Sequence, residues 1–156
     1  MRLSDLIVAD AIVPHISADT RDGAITELIA ALDSVGAIPA GGSADIAAAI
    51  LAREAQATTG IGHGIAFPHA RIKSVKKAVA VLGLRPEGID FKSLDGAPVD
   101  MVLLLLSSSE DADEHLEAME TIFRHVHRQA FRDELKACKT KEEIADLVQT
   151  ADGAVA

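Results

Sequence analysis

The stretch Gly60-Ile61-Gly62-His63-Gly64-Ile65-Ala66-Phe67-Pro68-His69 concentrates more potential chemistry than any other part of the chain. Three glycines in five residues let a backbone come close to a ligand, and the N–H groups of such a loop can converge on an anion. Pro68 fixes the backbone immediately before His69, so that the imidazole is presented from a stiff turn. A neutral imidazole is a nucleophile, and imidazoles of ordinary pKa, about 6.5, are mostly neutral near pH 7. The segment thus combines a possible anion cradle with a held nucleophile. On the residues alone, an ordinary turn and a structural histidine remain the alternatives. The spacing is G-x-G-x-G and a helix precedes it, which argues against a dinucleotide fingerprint.

Two further residues join this stretch. His115 is expected in the first turn of a helix that follows a buried strand, with Met119 and Ile122 on its apolar side, so it should point towards the sheet edge. Ligands of α/β sheets sit beyond the carboxyl ends of the strands, and a helix N-terminus there favours an anion. Arg53 falls near the end of the helix before the glycine loop, where a guanidinium can pair with phosphate oxygens. A hydrogen-bonded core histidine and a solvated helix-end arginine are the plainer alternatives.

The elements that must position these residues follow from periodicity. Ile25, Leu28, Ile29 and Leu32 form one helical face capped by Asp19 or Thr20, and Gly36 and Pro39-Ala40-Gly41-Gly42 end that helix. Ser43 is expected to cap an Ala-rich helix from Ala44 to about Gln56. The segment 58–64 is expected to be too glycine-rich for a regular element. Ala78–Leu84 and Val99–Leu106 are near-continuous apolar runs, the pattern of strands buried on both faces. A helix is expected from about Asp113 to Gln129, with Leu116, Met119, Ile122, Phe123 and Val126 inward and His125 and His127 in a solvated last turn. A short helix over 131–137 follows, and Cys138 is expected to be a small buried or half-buried hydrophobe on a short helix. Thr140-Lys141-Glu142-Glu143 is a capping box for the last helix, and residues 151–156 are expected to fray. No partner is evident for His15. Helices alternating with buried strands indicate α/β layers, with helices covering a sheet.

Composition narrows the function classes. A chain of 156 residues with 49% apolar content fits one domain, taken as 1–150 plus a tail. Its aromatic share of 3% leaves no stacking platform for single-stranded nucleic acid, and a net charge of −9 disfavours a phosphate backbone. A protein partner with a positive face suits it better. One cysteine excludes an internal disulfide, and neither a signal peptide nor a membrane span is recognisable, so a cytoplasmic location is expected.

Arg53-Glu54 followed by Thr58-Thr59-Gly60-Ile61-Gly62-His63-Gly64-Ile65-Ala66-Phe67-Pro68-His69 resembles the signature of type-2 IIA proteins, the fructose/mannitol class of the phosphoenolpyruvate-dependent phosphotransferase system. Within that class the resemblance is nearest the nitrogen-related members, and it runs over roughly 3–150. It implies a three-layer α/β/α sandwich with a mixed central sheet flanked by helices. It implies that His69 takes a phosphoryl group from a small histidine phosphocarrier protein, with His115 as the second active-site histidine and Arg53 beside the phosphoryl group. Thr59 and the N–H groups of Gly60, Gly62 and Gly64 complete the expected anion contacts, with no metal and no cofactor. Nitrogen-type members usually carry Asn where this chain has His63.

Onward partners are then regulatory targets or, in a sugar-specific alternative, a IIB domain. Two other possibilities are a metallohydrolase with His63, His69 and His115 as zinc ligands, and a binding module whose histidine is vestigial.

Overall fold

The two apolar runs do form the centre of a sheet. The computed structural model describes residues 1–154. Along the chain lie α1 (Leu3–Leu6), a 3-10 turn (Ala9–Ala11), α2 (Arg21–Ser34), α3 (Ser43–Gln56), β1 (Gly60–Gly62), β2 (Ile65–Ala66), β3 (His69–Ile72), β4 (Val79–Ile89), β5 (Val99–Ser108), α4 (Ala112–Val126), α5 (Gln129–Ala137) and α6 (Lys141–Ala154). β5 is central. It pairs antiparallel with β4 on one side and parallel with β2 and β3 on the other, while β1 pairs antiparallel with β2. The free edge of β4 is not left open. Residues 7–16 run beside it, with the N–H of Val8 donating to Ala80 O and that of Val13 to Leu82 O, which covers an edge that would otherwise invite aggregation.

Alternation along the strands divides the core in two. Ala80, Leu82, Leu84, Met101, Leu103 and Leu105 pack against α1, α4, α5 and α6 through residues such as Leu3, Ile122, Phe131 and Ile144. Val81, Val102, Leu104 and Leu106 pack on the opposite face against Ile25, Leu28, Ile29, Ile46 and Ile50 of α2 and α3. The result is the expected three-layer α/β/α sandwich with a mixed sheet. With both faces covered, β5 has no polar face to show, which is why it is apolar at successive positions and not at alternate ones. Truncating one of its leucines, Leu104 for example, should cost about 2–5 kcal/mol.

β2 and β3 are two pieces of one strand. Ile65 pairs with Met101 and His69 with Leu105, the same offset on both sides of Phe67-Pro68. Pro68 has no N–H to give, but its carbonyl still accepts from the N–H of Leu105 at 2.9 Å. The break therefore costs one ladder bond and leaves the register intact.

Several local expectations change. The segment 58–64 is not irregular: β1 and β2 form a small hairpin whose two turn residues, His63 (φ 58°) and Gly64 (φ 77°), both have positive φ, the requirement of a tight primed turn. Thr20 caps α2, accepting from the N–H of Gly23, but α3 already includes Ser43 and its N-cap is Gly42. The inward stripe of α4 is Ala118, Thr121, Ile122, His125 and Val126. Leu116, expected inward, lies two residues and therefore about 200° round the helix from Ala118 and is 59% exposed. His125, expected in solvent, is 1% exposed. The capping box of α6 is formed, Glu143 N–H to Thr140 Oγ1 and Thr140 N–H to Glu143 Oε1. That helix runs on to Ala154, into the stretch 151–156 expected to fray; residues 155 and 156 lie outside the described residues. Asp152 accepts from the N–H groups of Leu3 and Ser4 and from the Ser4 hydroxyl, capping α1 from the far end of the chain.

Candidate functional site

His69 opens β3 directly after the Phe67-Pro68 break, and its ring is fixed from two sides. Its Nδ1 lies 2.8 Å from the carbonyl oxygen of Phe67. A carbonyl can only accept, so Nδ1 carries the proton and Nε2 keeps its lone pair. The Phe67 ring lies 5.1 Å from the His69 ring and in turn meets Phe123 of α4 edge-on at 5.2 Å. The buried phenylalanine thus ties the histidine to α4.

His69 shares an open pocket of about 400 Å³ with Ala49, Arg53, Ala70, Arg71 and His115. Each comes from a different constraint. Ala49 and Arg53 are spaced i, i+4 on α3, beside the buried stripe Ile46, Ile50 and Glu54. The Arg53 guanidinium spends one N–H, at Nη1, on the carbonyl of Ala57 at 3.0 Å. Arg71 stands two residues after His69 on the same strand and therefore on the same face, and its Nη2 donates to the carbonyl of Ser109 at 3.1 Å. Among the described residues neither guanidinium has a carboxylate within ion-pair distance. Two guanidinium groups without carboxylate partners give this pocket a local positive potential on a protein of net charge −9.

His115, in the first turn of α4, is half-buried, with its ring centroid 6.4 Å from that of His69. Its Nδ1 lies 2.6 Å from the Oγ of Ser107, a wholly buried residue of β5. Burial first, then the charge of Arg71 and the proximity of His69, hold its pKa below the ordinary histidine value.

The glycine stretch has another role. Phe67 N–H donates to Thr59 O, so Thr59 begins near the site, but its own N–H and hydroxyl both go to the buried carboxylate of Glu54. Neither donor remains for an anion. A Cβ on Gly60 would come within 2.3 Å of Ser93 Oγ and 2.9 Å of Ser93 Cα; that glycine serves close packing. Gly62 precedes the hairpin turn and Gly64 is its second residue, beside Asp95 and Asp100 respectively, whose carboxylates repel a phosphate. The carbonyl of Gly64 accepts from the N–H of Asp100, five positions along β5 from Leu105, the partner of His69. That is about 16 Å. Thr59, Gly60, Gly62 and Gly64, expected around the anion, thus make these contacts within the protein. His63 stands in that hairpin turn, and among the described residues no group of three or more His, Cys, Asp or Glu side chains is placed to hold a metal ion.

Arg71 and Ser107 were not singled out from the sequence. Alternation from His69 was a usable signal for Arg71. Ser107 gave none, because its role depends on which face of β5 meets α4. The remaining histidines also find places: His15 Nε2 lies 2.8 Å from Glu87, and His127 stacks on Phe123 at 5.7 Å. His125 donates from Nδ1–H to Thr121 O at 2.9 Å, while its Nε2 has no hydrogen-bond partner and sits 3.7 Å from Asp152 Oδ1. Among the described residues no helix is long and apolar enough to cross a membrane.

Comparison with known proteins bears on the family and the fold. The profile of the family described as phosphoenolpyruvate-dependent sugar phosphotransferase system, EIIA 2, matches residues 5–151. The chain is 30% identical over 148 residues to the nitrogen regulatory protein of Bradyrhizobium diazoefficiens, covering 95% of each. It is also 30% identical over 152 residues to the PTS system fructose-specific EIIABC component of Bacillus subtilis, covering 97% of this chain but only 24% of that protein. The crystal structure of nitrogen regulatory protein IIA-Ntr from Neisseria meningitidis superposes with a TM-score of 0.82 at 25% identity, over 94% of this chain and 98% of that one.

Proposed function

The chain belongs to the EIIA type-2 family of the phosphoenolpyruvate-dependent sugar phosphotransferase system, a family of phosphotransfer proteins, and from that premise we propose that it is a phosphohistidine carrier of the nitrogen-regulatory kind, with His69 as the acceptor. The observation that carries this is the His69 ring itself. Its Nδ1–H is committed to the Phe67 carbonyl, which leaves the Nε2 lone pair in a pocket that holds two guanidinium groups without carboxylate partners.

The reaction is an in-line exchange between two imidazoles. The Nε2 of His69 attacks the phosphorus carried on the histidine of a phosphocarrier protein. As the new P–N bond forms, the old one breaks and its electron pair returns to the donor ring, with no net proton transfer. A loose transition state of this type needs alignment and compensation of charge on its outer oxygens more than covalent help. Arg53, Arg71 and His115 supply the compensation. The Nδ1–H···O=C bond meanwhile orients the ring and offsets the positive charge that nitrogen attack creates. Metal is not required, because the donor is a phosphohistidine and not a nucleotide. The phosphorylation state of His69 would then govern binding to a regulatory target.

The regulatory assignment is supported by a relative matched nearly end to end, the nitrogen regulatory protein of Bradyrhizobium diazoefficiens. A second reading, a sugar-specific IIA component that hands the group to a IIB domain, is favoured by the match to the fructose-specific EIIABC component. Incubating the chain with a phosphorylated phosphocarrier protein and assaying acid-labile phosphate tests the acceptor role; one equivalent on wild type is expected. Adding a fructose-type IIB domain then separates the two readings, since only the sugar-specific form should pass the group on at a useful rate.

A further inference from the structure

We propose that Ser107 is a positioning residue that sets the tautomer of His115, holding the proton on Nε2 so that the neutral ring donates a hydrogen bond to the phosphoryl group at His69. This rests on His69 being the acceptor. Ser107 is completely buried on β5, and its Oγ lies 2.6 Å from Nδ1 of His115. No other side chain or carbonyl among the described residues bonds that hydroxyl. Two arrangements of the shared proton are conceivable. If Nδ1–H of His115 donated to Oγ, the serine hydroxyl hydrogen would be left buried with no acceptor, an expensive state. If the hydroxyl donates to Nδ1 instead, every group is satisfied and the ring proton must reside on Nε2. Packing and hydrogen-bond accounting therefore select one tautomer.

The placement gives the choice a use. Ser107 is the register partner of Arg71, as Leu105 is of His69, so His69, Arg71 and Ser107 share the face on which α4 lies. His115 lines the same pocket with its other nitrogen uncommitted. In the opposite tautomer Nε2 would present a lone pair to an incoming phosphoryl oxygen, and two acceptors would meet. With the proton on Nε2 the site has a donor ready before the phosphoryl group arrives. The depressed pKa of His115 makes this matter: the ring is neutral near pH 7, so it cannot rely on carrying both protons. The two active-site histidines then have opposite protonation patterns, Nδ1–H in His69 and Nε2–H in His115. Each is fixed by one hydrogen bond of its Nδ1, the first to a carbonyl acceptor and the second to a hydroxyl donor.

The test uses the full chain labelled with 15N-histidine and two-bond 1H–15N correlation spectra above pH 7. Wild-type His115 should be protonated on Nε2 and bare on Nδ1. Ser107→Ala should let the tautomer ratio drift by about fivefold, the amount a hydrogen bond of ordinary net worth sets, and slow phosphoryl acceptance from a phosphocarrier by a similar factor. Ser107→Thr, which keeps the hydroxyl, should restore both. A wild-type spectrum with the proton on Nδ1 of His115 overturns the proposal, and needs no variant to fold. So does a Ser107→Ala protein that is slowed with its tautomer unchanged, or unslowed with its tautomer altered. Wild-type protein that acquires no acid-labile phosphate while His115 carries its proton on Nε2 would instead remove the acceptor role of His69 and leave the tautomer assignment standing.

Discussion

The two ends of α4 carry similar parts and use them differently. At its start, His115 bonds a neighbouring side chain through Nδ1 and leaves Nε2 beside a pocket with His69, Arg53 and Arg71. Near its end, His125 bonds a backbone carbonyl through Nδ1 and leaves Nε2 unpartnered, but there the ring is 1% exposed, edge-on to Phe131 at 5.7 Å, and its nearest charge is the carboxylate of Asp152. A spare imidazole nitrogen is therefore not enough to make a site. What differs is access and the sign of the surrounding charge: open and cationic at one end, closed and anionic at the other.

Substitutions should separate the two ends cleanly. The largest effect is expected from His69→Ala at the pocket end: no acid-labile phosphate from a phosphocarrier, with a circular dichroism melt close to wild type, because the ring is only half-buried. Retention of one full equivalent of phosphate would break the comparison. His115→Ala should still accept the group, about 10- to 100-fold more slowly in a rapid-quench assay, somewhat less than the loss of a sole donor in an oxyanion site because two guanidinium groups remain. At the closed end, His125→Ala should do the reverse. Denaturant titration should show a loss of about 2–4 kcal/mol for the cavity, with acceptance kinetics unchanged. Arg71→Gln should slow acceptance about fivefold, since an exposed guanidinium contributes modestly to a screened site, and the effect should shrink with added salt.

The smallest effect concerns pH. The pKa of His115 is lowered in the folded chain, so the unfolded chain takes up that proton first. Its contribution to stability is fully present above about pH 6.5 and is lost as pH falls towards the lowered folded value. The difference between wild-type and His115→Gln stability, followed from pH 8 to 5, should show that slope. Phosphorylation of His69 should reverse the direction of the shift, because a dianion then stands where only cations stood.

What the sequence revealed and what it hid divide along the same physical lines. Buried strands, the α2 stripe and the Thr140 capping box are local patterns of apolar spacing and cap chemistry, and they appear in the fold where expected. The Phe67-Pro68-His69 presentation was visible for a similar reason, since proline acts on its neighbours in the chain. The glycines are ambiguous in the sequence, because a glycine records only that a Cβ is unwelcome. What takes that space at Gly60 is Ser93, far along the chain. Leu116 and His125 exchanged inside for outside through a rotation of the α4 stripe that only its packing against β5, α1 and α5 decides. Ser107, within an apolar strand, carries no mark of its own, and its use emerges only when α4 is laid over the sheet.

Asp152 closes the first helix with the last one, and this bears on how the chain can be re-engineered. Leu3 and Asp152 are 2.7 Å apart at the bonding atoms, so a short Gly/Ser linker could join the two ends and the gene could be reopened in the Gly36–Gly42 turn. Such a circular permutant should fold, since the contacts of α1 with α6 would become local along the chain. Trimming the polypeptide after Thr150 is the contrary operation. It would leave the amides of Leu3 and Ser4 without acceptors and loosen the segment that shields the edge of β4, which favours self-association in a variant whose pocket is untouched.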